Sequence, residues 1–403
     1  MTGHERSADA GSPAEEGGAD APAGAGAPYP AVVHGTVAPG FEPLRDTFAA
    51  VLGAEPGQAA QVAAYLDGRQ VADLWGGPGM AGDSLLGVFS STKGATFLVL
   101  ALLAQRGTLD LDREVRAYWP EFAAEGKGAL TLRELAGHRA GSIGVDEGFT
   151  LAELAEDEAL AARLAPHRPY WRPGAAFGYH SLTIGALVGE VVRRASGASL
   201  RAVYREALAG PYGIDLYLGL PASEEHRFLD VAAPAPAPAD AAPPAPDGLG
   251  GIAANAHHPE SVDLSRLPNL PLIRAGGQGS VAALASARGL ARLYAAALSG
   301  LDGRPALLSA ATLAECAQPF SVGHDLTLGM HRAYGLGFMV GLPHLGAGAF
   351  GHDGAGGSAA FADPRSGLAF GYTRRRFPTP AGAGPDAEAL ARTARACALA
   401  GRS

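Results

Sequence analysis

The stretch Gly87-Val88-Phe89-Ser90-Ser91-Thr92-Lys93-Gly94-Ala95-Thr96, followed at once by the apolar run Phe97 to Ala104, is the one from which the rest of the chain is read. Ser90 and Lys93 stand three residues apart. If Ser90 opens a helix, the two side chains share one face, about 5–6 Å apart at Cβ and within reach of a proton transfer. A serine hydroxyl becomes a good nucleophile only when a neighbour takes its proton, and a lysine can do that only where burial lowers its pKa towards neutrality. The apolar helix that follows would supply the burial. Of the 31 basic residues only two are lysines, Lys93 and Lys127. A guanidinium serves wherever positive charge alone is needed but cannot give up its proton in a protein, so a lysine at position 93 points to base chemistry. The same S-x-x-K spacing also arises by chance, and the other motifs decide.

With 403 residues and 47% apolar composition the chain can bury one large core or two joined cores. A net charge of −9 argues against nucleic acid as a partner. The one dense basic run, Arg374-Arg375-Arg376, reads as a solvated strand end rather than a binding patch, with contact to an anionic substrate group as the alternative. The two cysteines, Cys316 and Cys397, are too few for a disulfide framework and read as free thiols. Residues 1–38 are rich in Ala, Gly, Pro and acidic residues, which suggests a disordered tail and no export signal, hence a cytoplasmic protein. The run Phe97 to Ala104 is far short of the roughly 20 residues that span a bilayer, so no membrane partner is expected. A second low-complexity segment, 232–246, alternates Ala and Pro and reads as a surface loop.

Phe41 to Leu52 carries apolar residues at helical spacing. A hairpin follows, Gln61 to Leu66 and Arg69 to Trp75, joined by the turn signal Asp67-Gly68. The helix begun near Ser90 runs to about Gln105 and is ended by Gly107. Helical patterns then dominate: Thr150 to Leu164, Ser181 to Ala195, Leu200 to Leu208 and Ala282 to Leu298. Strands return at Leu336 to Leu342, Ala347 to Asp353, Ser358 to Ala362 and Leu368 to Tyr372, and Ala387 to Ala400 closes as a helix. Early and late strands must therefore pair around an inserted helical part. The expected organisation is an α/β (α+β) fold with a sheet domain from 39–108 and 301–403, a mainly helical domain at 109–300, and Ser90 in the cleft at their seam.

Two further motifs fit that seam. Phe177-Gly178-Tyr179-His180-Ser181 lies at a helix start, and Gly351-His352-Asp353-Gly354-Ala355-Gly356-Gly357-Ser358 lies on or beside a late strand. Together the three elements resemble the serine β-lactamase and penicillin-recognising superfamily, with its S-x-x-K, Y-x-N or Y-x-S, and K-T-G or H-x-G elements in order. Leu135 to Gly141 is similar to the family's L-x-x-H-x-x-G turn, Trp171 to Gly174 to its W-x-P-G, and Gly210-Pro211-Tyr212-Gly213-Ile214 to its P-L-G stretch. The class C-like carboxylesterases (family VIII esterases) and related acyltransferases are the branch it most resembles.

The resemblance implies a β-lactamase-like fold, an antiparallel sheet flanked by N- and C-terminal helices, and acyl transfer through a covalent serine intermediate. Ser90 would be acylated, and Lys93 and Tyr179 would share the base and acid roles, with the choice of base left open. The N–H groups of Ser90 and Ala355 would form an oxyanion hole, Ser181 and His352 would orient these groups or touch substrate, and Gly354 would let the strand come close. No cofactor is implied, and the pair His257-His258, without carboxylate or cysteine support, makes no metal site. His138 reads as structural, and Gly276-Gly277-Gln278-Gly279 as a turn lining the cleft. His352 stands where β-lactamases usually hold a lysine, and Ser181 where they hold Asn; β-lactam hydrolysis is therefore expected to be weak. A carboxylesterase acting on a small-molecule ester is the leading expectation. An acyltransferase or transamidase of secondary metabolism, using an ester, amide or thioester donor, is the alternative; a non-catalytic binding relative ranks last. Oligomeric state is left open.

Overall fold

A computed structural model describes residues 32–235 and 245–402. Twelve strands are present among them: β1 (Val33–Val37), β2 (Ala60–Leu66), β3 (Arg69–Gly76), β4 (Leu86–Gly87), β5 (Leu216–Leu218), β6 (Ala283–Ala285), β7 (Ser321–Asp325), β8 (Met330–Tyr334), β9 (Met339–Val340), β10 (Phe350–Asp353), β11 (Ala359–Asp363) and β12 (Leu368–Arg374). Nine form one antiparallel sheet in the order β1-β3-β2-β12-β11-β10-β9-β8-β7, and β4-β6-β5 form a small second sheet. The expected discontinuity is present, because β2 pairs with β12 from Ala60 opposite Arg374 to Leu66 opposite Leu368. Asp67 and Gly68 both take positive φ, 49° and 78°, as a two-residue hairpin turn between twisted strands requires.

The sheet is covered on both faces, which is why β2 is buried almost throughout. On one face Val62, Ala64, Phe370 and Tyr372 pack against Phe48 and Leu52 of the helix Glu42–Ala54 and Leu390 and Ala394 of the helix Pro385–Ala400. On the other, Ala63, Tyr65 and Ala369 join the larger core with the helices Lys93–Gln105 and Ala287–Leu298. Gly371 sets how closely that second layer sits: a Cβ there would lie 2.3 Å from the Ala287 carbonyl oxygen and 2.7 Å from the Ala291 nitrogen. The sequence reading places Ala287–Leu298 in the helical part, but the helix lies on the sheet, so the sheet layer begins before residue 300.

Other expectations are revised. Of the tail expected at 1–38, residues 1–31 lie outside the described residues, while Val33–Val37 form the edge strand β1. Of the Ala/Pro loop at 232–246, residues 236–244 lie outside the described residues, and Ala232 bridges Arg376 in parallel fashion. The segment Ala282 to Leu298 is not one helix: Ala283–Ala285 are strand, and Ser286 then caps the helix by accepting the Gly289 N–H. Thr150 to Leu164 breaks at the extended Glu156 into Leu151–Ala155 and Asp157–Leu164. Strands β7 and β8 had no apolar alternation to reveal them, because they stand at the sheet edge with exposed positions filled by Val322, His324, Met330 and His331. Arg374 is no solvated strand end; largely buried, it pairs with Glu55 and, at 2.7 Å, with Asp386, and so ties β12 to the residues that flank both covering helices. Cys316 and Cys397 are free. No helix among the described residues is long and apolar enough to cross a membrane.

Gly371→Val should lower stability by about 3 kcal/mol through overpacking against backbone that cannot yield. Gly53→Ala, at an open helical position, should raise it by about 0.5–1 kcal/mol. Urea unfolding midpoints of the two variants check both.

Candidate active site

The nucleophile turn is built from strained and stitched backbone. Phe89 takes φ +47°, unusual for a bulky residue, immediately before Ser90. Residues Phe89–Thr92 form a 3₁₀ turn that leads into the helix Lys93–Gln105. The strain is held from two sides. On the strand side, Ser358 Oγ donates to the Val88 carbonyl at 2.8 Å, and Ser91 Oγ lies 2.9 Å from Ser358 Oγ. On the small-sheet side, the Val88 N–H donates to the Ala283 carbonyl at 3.0 Å, and the Ala283 N–H donates to Thr92 Oγ1 at 3.0 Å. Gly354 explains why the third motif ends in glycine: a Cβ there would lie 2.2 Å from the Val88 carbonyl oxygen and 2.5 Å from Ser358 Oγ. The end of β10 therefore reaches the Ser90 turn only without a side chain.

Lys93 is wholly buried, as is nearly every residue of its helix through Leu103. Its Nζ lies 3.1 Å from Ser90 Oγ, 2.7 Å from the Ser181 carbonyl oxygen and 3.0 Å from the Ser280 carbonyl oxygen. Burial lowers its pKa well below the ordinary lysine value, opposed in part by the charge of Asp353. A neutral amine has two N–H donors and one lone pair. The two carbonyls take the donors, which leaves the lone pair for the Ser90 hydroxyl. Tyr179 completes the cluster, with Lys93 Nζ 4.7 Å from its ring centroid. Burial raises the Tyr179 pKa well above its usual value; nearby Ser90 pulls the other way, and the phenol hydroxyl has no hydrogen-bond partner that meets normal geometry.

Ser181 contributes through its backbone carbonyl on Lys93 and also lines the cavity in front of Ser90. His180, between Tyr179 and Ser181, is satisfied as a neutral ring: Nδ1–H donates to the Gly178 carbonyl at 2.7 Å and Nε2 accepts the Ser142 N–H at 3.1 Å. His352 is neutral too. Burial above all pushes its pKa down to about 3, and Nδ1–H donates to the Asp353 carbonyl at 2.6 Å. Its Nε2 has no partner and is left as an acceptor. Ser90, Tyr179, Ser181, His352 and Ala355 line one cavity of about 240 Å³, whose other walls include Leu264, Val281, Leu328 and Met339. Gly354 is not among its lining residues but stands against the Val88 carbonyl of the Ser90 turn. All the residues singled out in the sequence thus converge on one site.

Several supports went unread in the sequence. Asp325, fully buried at the end of β7, accepts the backbone N–H groups of Tyr179, Thr327 and Leu328 on Oδ1, each within 3.0 Å, and the Tyr334 hydroxyl on Oδ2 at 3.1 Å. Its one sequence signal is an Asp followed by a turn, since aspartate binds backbone N–H groups two or three residues on. The Gly276 to Gly279 turn, expected to line the cleft, does not border the cavity in front of Ser90; Gly276 and Gly277 line a separate one beside Asp157 and Glu190, and the turn leads into Ser280, whose carbonyl accepts from Lys93. Gln278 Nε2 donates to the Leu182 carbonyl at 2.8 Å, and Gly279 N–H donates to Asp157 Oδ1 at 3.1 Å. His138, at φ +62°, accepts the His180 N–H on Nδ1 and packs its ring against Tyr179 and Tyr334. His257 Nε2 lies 3.0 Å from the Val145 carbonyl, and His258 Nδ1 accepts the Glu260 N–H; among the described residues no cluster of His, Cys, Asp and Glu is placed to hold a metal ion.

This arrangement can be set beside known proteins. Residues 44–395 match the Beta-lactamase family. The chain is 33% identical over 372 residues to the esterase/β-lactamase LipL of Mycobacterium tuberculosis, covering 86% of this chain and 84% of that one. The structure of EstA from Arthrobacter nitroguajacolicus Rue61a superposes with a TM-score of 0.87 at 43% identity, covering 92% of this chain and all of that one. A family VIII carboxylesterase superposes with a TM-score of 0.82 at 32% identity, covering 91% and 100%. With a single motif set gathered at Ser90, on an antiparallel sheet flanked by helices, the chain is a serine hydrolase and belongs to the Beta-lactamase family.

Proposed function

We propose that this hydrolase is a carboxylesterase that acts on small to medium acyl esters through an acyl-Ser90 intermediate. The observation that carries the reading is the placement of Lys93 Nζ between two carbonyl acceptors and the Ser90 hydroxyl in a dry interior. In this scheme the Lys93 lone pair takes the Ser90 proton as Oγ bonds to the ester carbonyl carbon. The oxyanion so formed is held by the N–H groups of Ser90 and Ala355, where one donor is worth about 10²–10³-fold in rate. The proton then passes from Lys93 by way of the Tyr179 hydroxyl to the leaving alkoxide, the ester C–O bond breaks, and acyl-Ser90 remains. Water, giving its proton to the same base, attacks the acyl carbon and releases the acid. The raised pKa of Tyr179 and the lowered pKa of Lys93 support the reading in which Tyr179 relays the proton and Lys93 is the base.

Ester over β-lactam is supported by the neutral His352 at the start of the third motif, which puts no cation at that position; the cation that does line the cavity, Arg332, lies two strands away on β8. The similar family VIII carboxylesterase supports the same reading by its name, while LipL is named both esterase and β-lactamase. A largely apolar cavity of about 240 Å³ suits a short acyl chain. Asp325 is a positioning residue in this scheme, because it fixes the backbone at Tyr179 and the hydroxyl of Tyr334, whose ring stacks on Tyr179 at 6.0 Å.

Turnover of p-nitrophenyl butyrate should fall on the order of 10⁴-fold or more in Ser90→Ala and about 10³-fold in Lys93→Arg, which keeps the charge but cannot act as a base. Wild-type activity in Ser90→Ala would sink the mechanism. Because the lysine pKa is depressed, protonation at falling pH removes the base; kcat/KM should therefore rise with pH along an acid limb centred well below the usual lysine value, whereas a limb near 10 would contradict the reading. Intact-mass spectra should show an acyl adduct on Ser90 that decays in water; decay only on addition of an amine or alcohol would make the enzyme a transferase. Asp325→Ala should cost about 2–4 kcal/mol in urea unfolding, since it leaves buried donors without an acceptor, and should lower kcat more than it raises KM.

A further inference from the structure

The cavity in front of Ser90 holds one cation that the proposed mechanism does not use. Arg332 lies on β8, two strands away from His352 in the sheet, and on the strand face that also carries Tyr334. It lines the same cavity as Ser90, Tyr179 and His352. Opposite it on β7 stands Gly323, which offers no side chain to pair with. Arg332 is half-buried, its Nε is buried without a hydrogen-bond partner, and it makes no hydrogen bond or ion pair among the described residues. A buried N–H donor left without an acceptor is costly, because buried polar groups are ordinarily hydrogen-bonded. The other arginines that approach the interior are engaged: Arg374 with Glu55 and Asp386, Arg274 with Glu225, Arg227 with Asp215 and Glu224.

We propose that Arg332 is a specificity-determining residue whose guanidinium binds a carboxylate carried by the substrate, so that the preferred esters are monoesters of short dicarboxylic acids or their close analogues. The proposal rests on the esterase reading of the same site. Its chemistry is that of the planar guanidinium fork, which matches a carboxylate with paired N–H donors. The remaining cavity walls leave few rivals for the role. Leu264, Val281, Leu328 and Met339 are apolar, His352 presents a bare acceptor, and Lys93 is spent on Ser90 and two carbonyls. Asp353 also lines the cavity. Its carboxylate feels the Arg332 charge without forming an ion pair, burial pushes its pKa up, and its Oδ2 accepts the Ala383 N–H at 3.3 Å. No ion pair joins Arg332 to Asp353 among the described residues, so the guanidinium donors are not taken by it.

The test separates this inference from the esterase mechanism. Wild type and Arg332→Met are compared on p-nitrophenyl hemiglutarate and its neutral isostere p-nitrophenyl valerate. The wild type should favour the anionic ester in kcat/KM by about tenfold or more, and Arg332→Met should lose that preference chiefly through KM while valerate turnover stays within twofold. Arg332→Lys should recover part of it. Equal losses on both esters, or no wild-type preference for the anion, would overturn the inference and leave the esterase reading standing. A protein that turned over neither ester would instead count against the esterase reading, so binding is also read without turnover. In Ser90→Ala, calorimetric titration with monomethyl glutarate against methyl valerate should show tighter binding of the anion, abolished by Arg332→Met; equal affinity, or no binding of the anion, overturns the inference independently of chemistry.

Discussion

A charged ammonium in a dry interior costs several kcal/mol even after relaxation, and the fold answers that cost at Lys93 by removing the charge. Every other feature of the site depends on that choice. The helix that carries Lys93 is buried on nearly all sides, because it runs between the main sheet and the helical part of the chain. Solvent therefore cannot reach Nζ. Two carbonyls from separate segments, Ser181 and Ser280, take the amine hydrogens, and the lone pair is left for Ser90. Were either carbonyl to move, the amine would be free to rotate and the pairing with Ser90 would be one arrangement among several.

The supports around this contact follow the same logic of fixing backbone. Phe89 is held at positive φ by hydrogen bonds from β6 and by the Ser358 hydroxyl, which places Ser90 at the head of its helix. Gly354 lets β10 approach that turn, and Asp325 gathers three backbone N–H groups and a phenol to hold the Tyr179 loop. Asp157 and Gln278 do the like for the turn that presents Ser280. The reactive groups thus come from loops, but each loop is tied to a sheet or a helix end, which is how small geometric tolerances are kept.

The motifs were legible because chemistry demands particular residue types at short, fixed spacing: serine and lysine one helical turn apart, a tyrosine at a helix start, a glycine where strand meets turn. The split sheet was legible from its near-continuous apolar strands, since the central strands β2, β11 and β12 are buried on both faces. What escaped was of two kinds. The edge strands β1 and β7, and β8 beside β7, are partly exposed and carry mixed residues, so no apolar period announces them. The long-range polar supports escaped as well. Asp325 meets Tyr179 across 146 residues and Ser280 meets Lys93 across 187, and nothing local in either stretch points to its partner. Arg332 stayed hidden for the same reason, as one arginine among many until the fold turned it towards the cavity.

The central claim is that Lys93 is a neutral amine at working pH, and the chain is suited to a direct measurement because Lys127 is its one other lysine. Lys127, whose pKa burial brings down to about 8, donates to the His167 carbonyl and serves as an internal comparison. With the lysines labelled by ¹⁵N, the two Nζ resonances can be followed against pH by NMR and assigned with Lys93→Met. The account predicts that the Lys93 signal already has the shift of a neutral amine at pH 7 and converts to the ammonium only at lower pH, below the Lys127 transition. A Lys93 resonance that stays an ammonium up to pH 9 would contradict it.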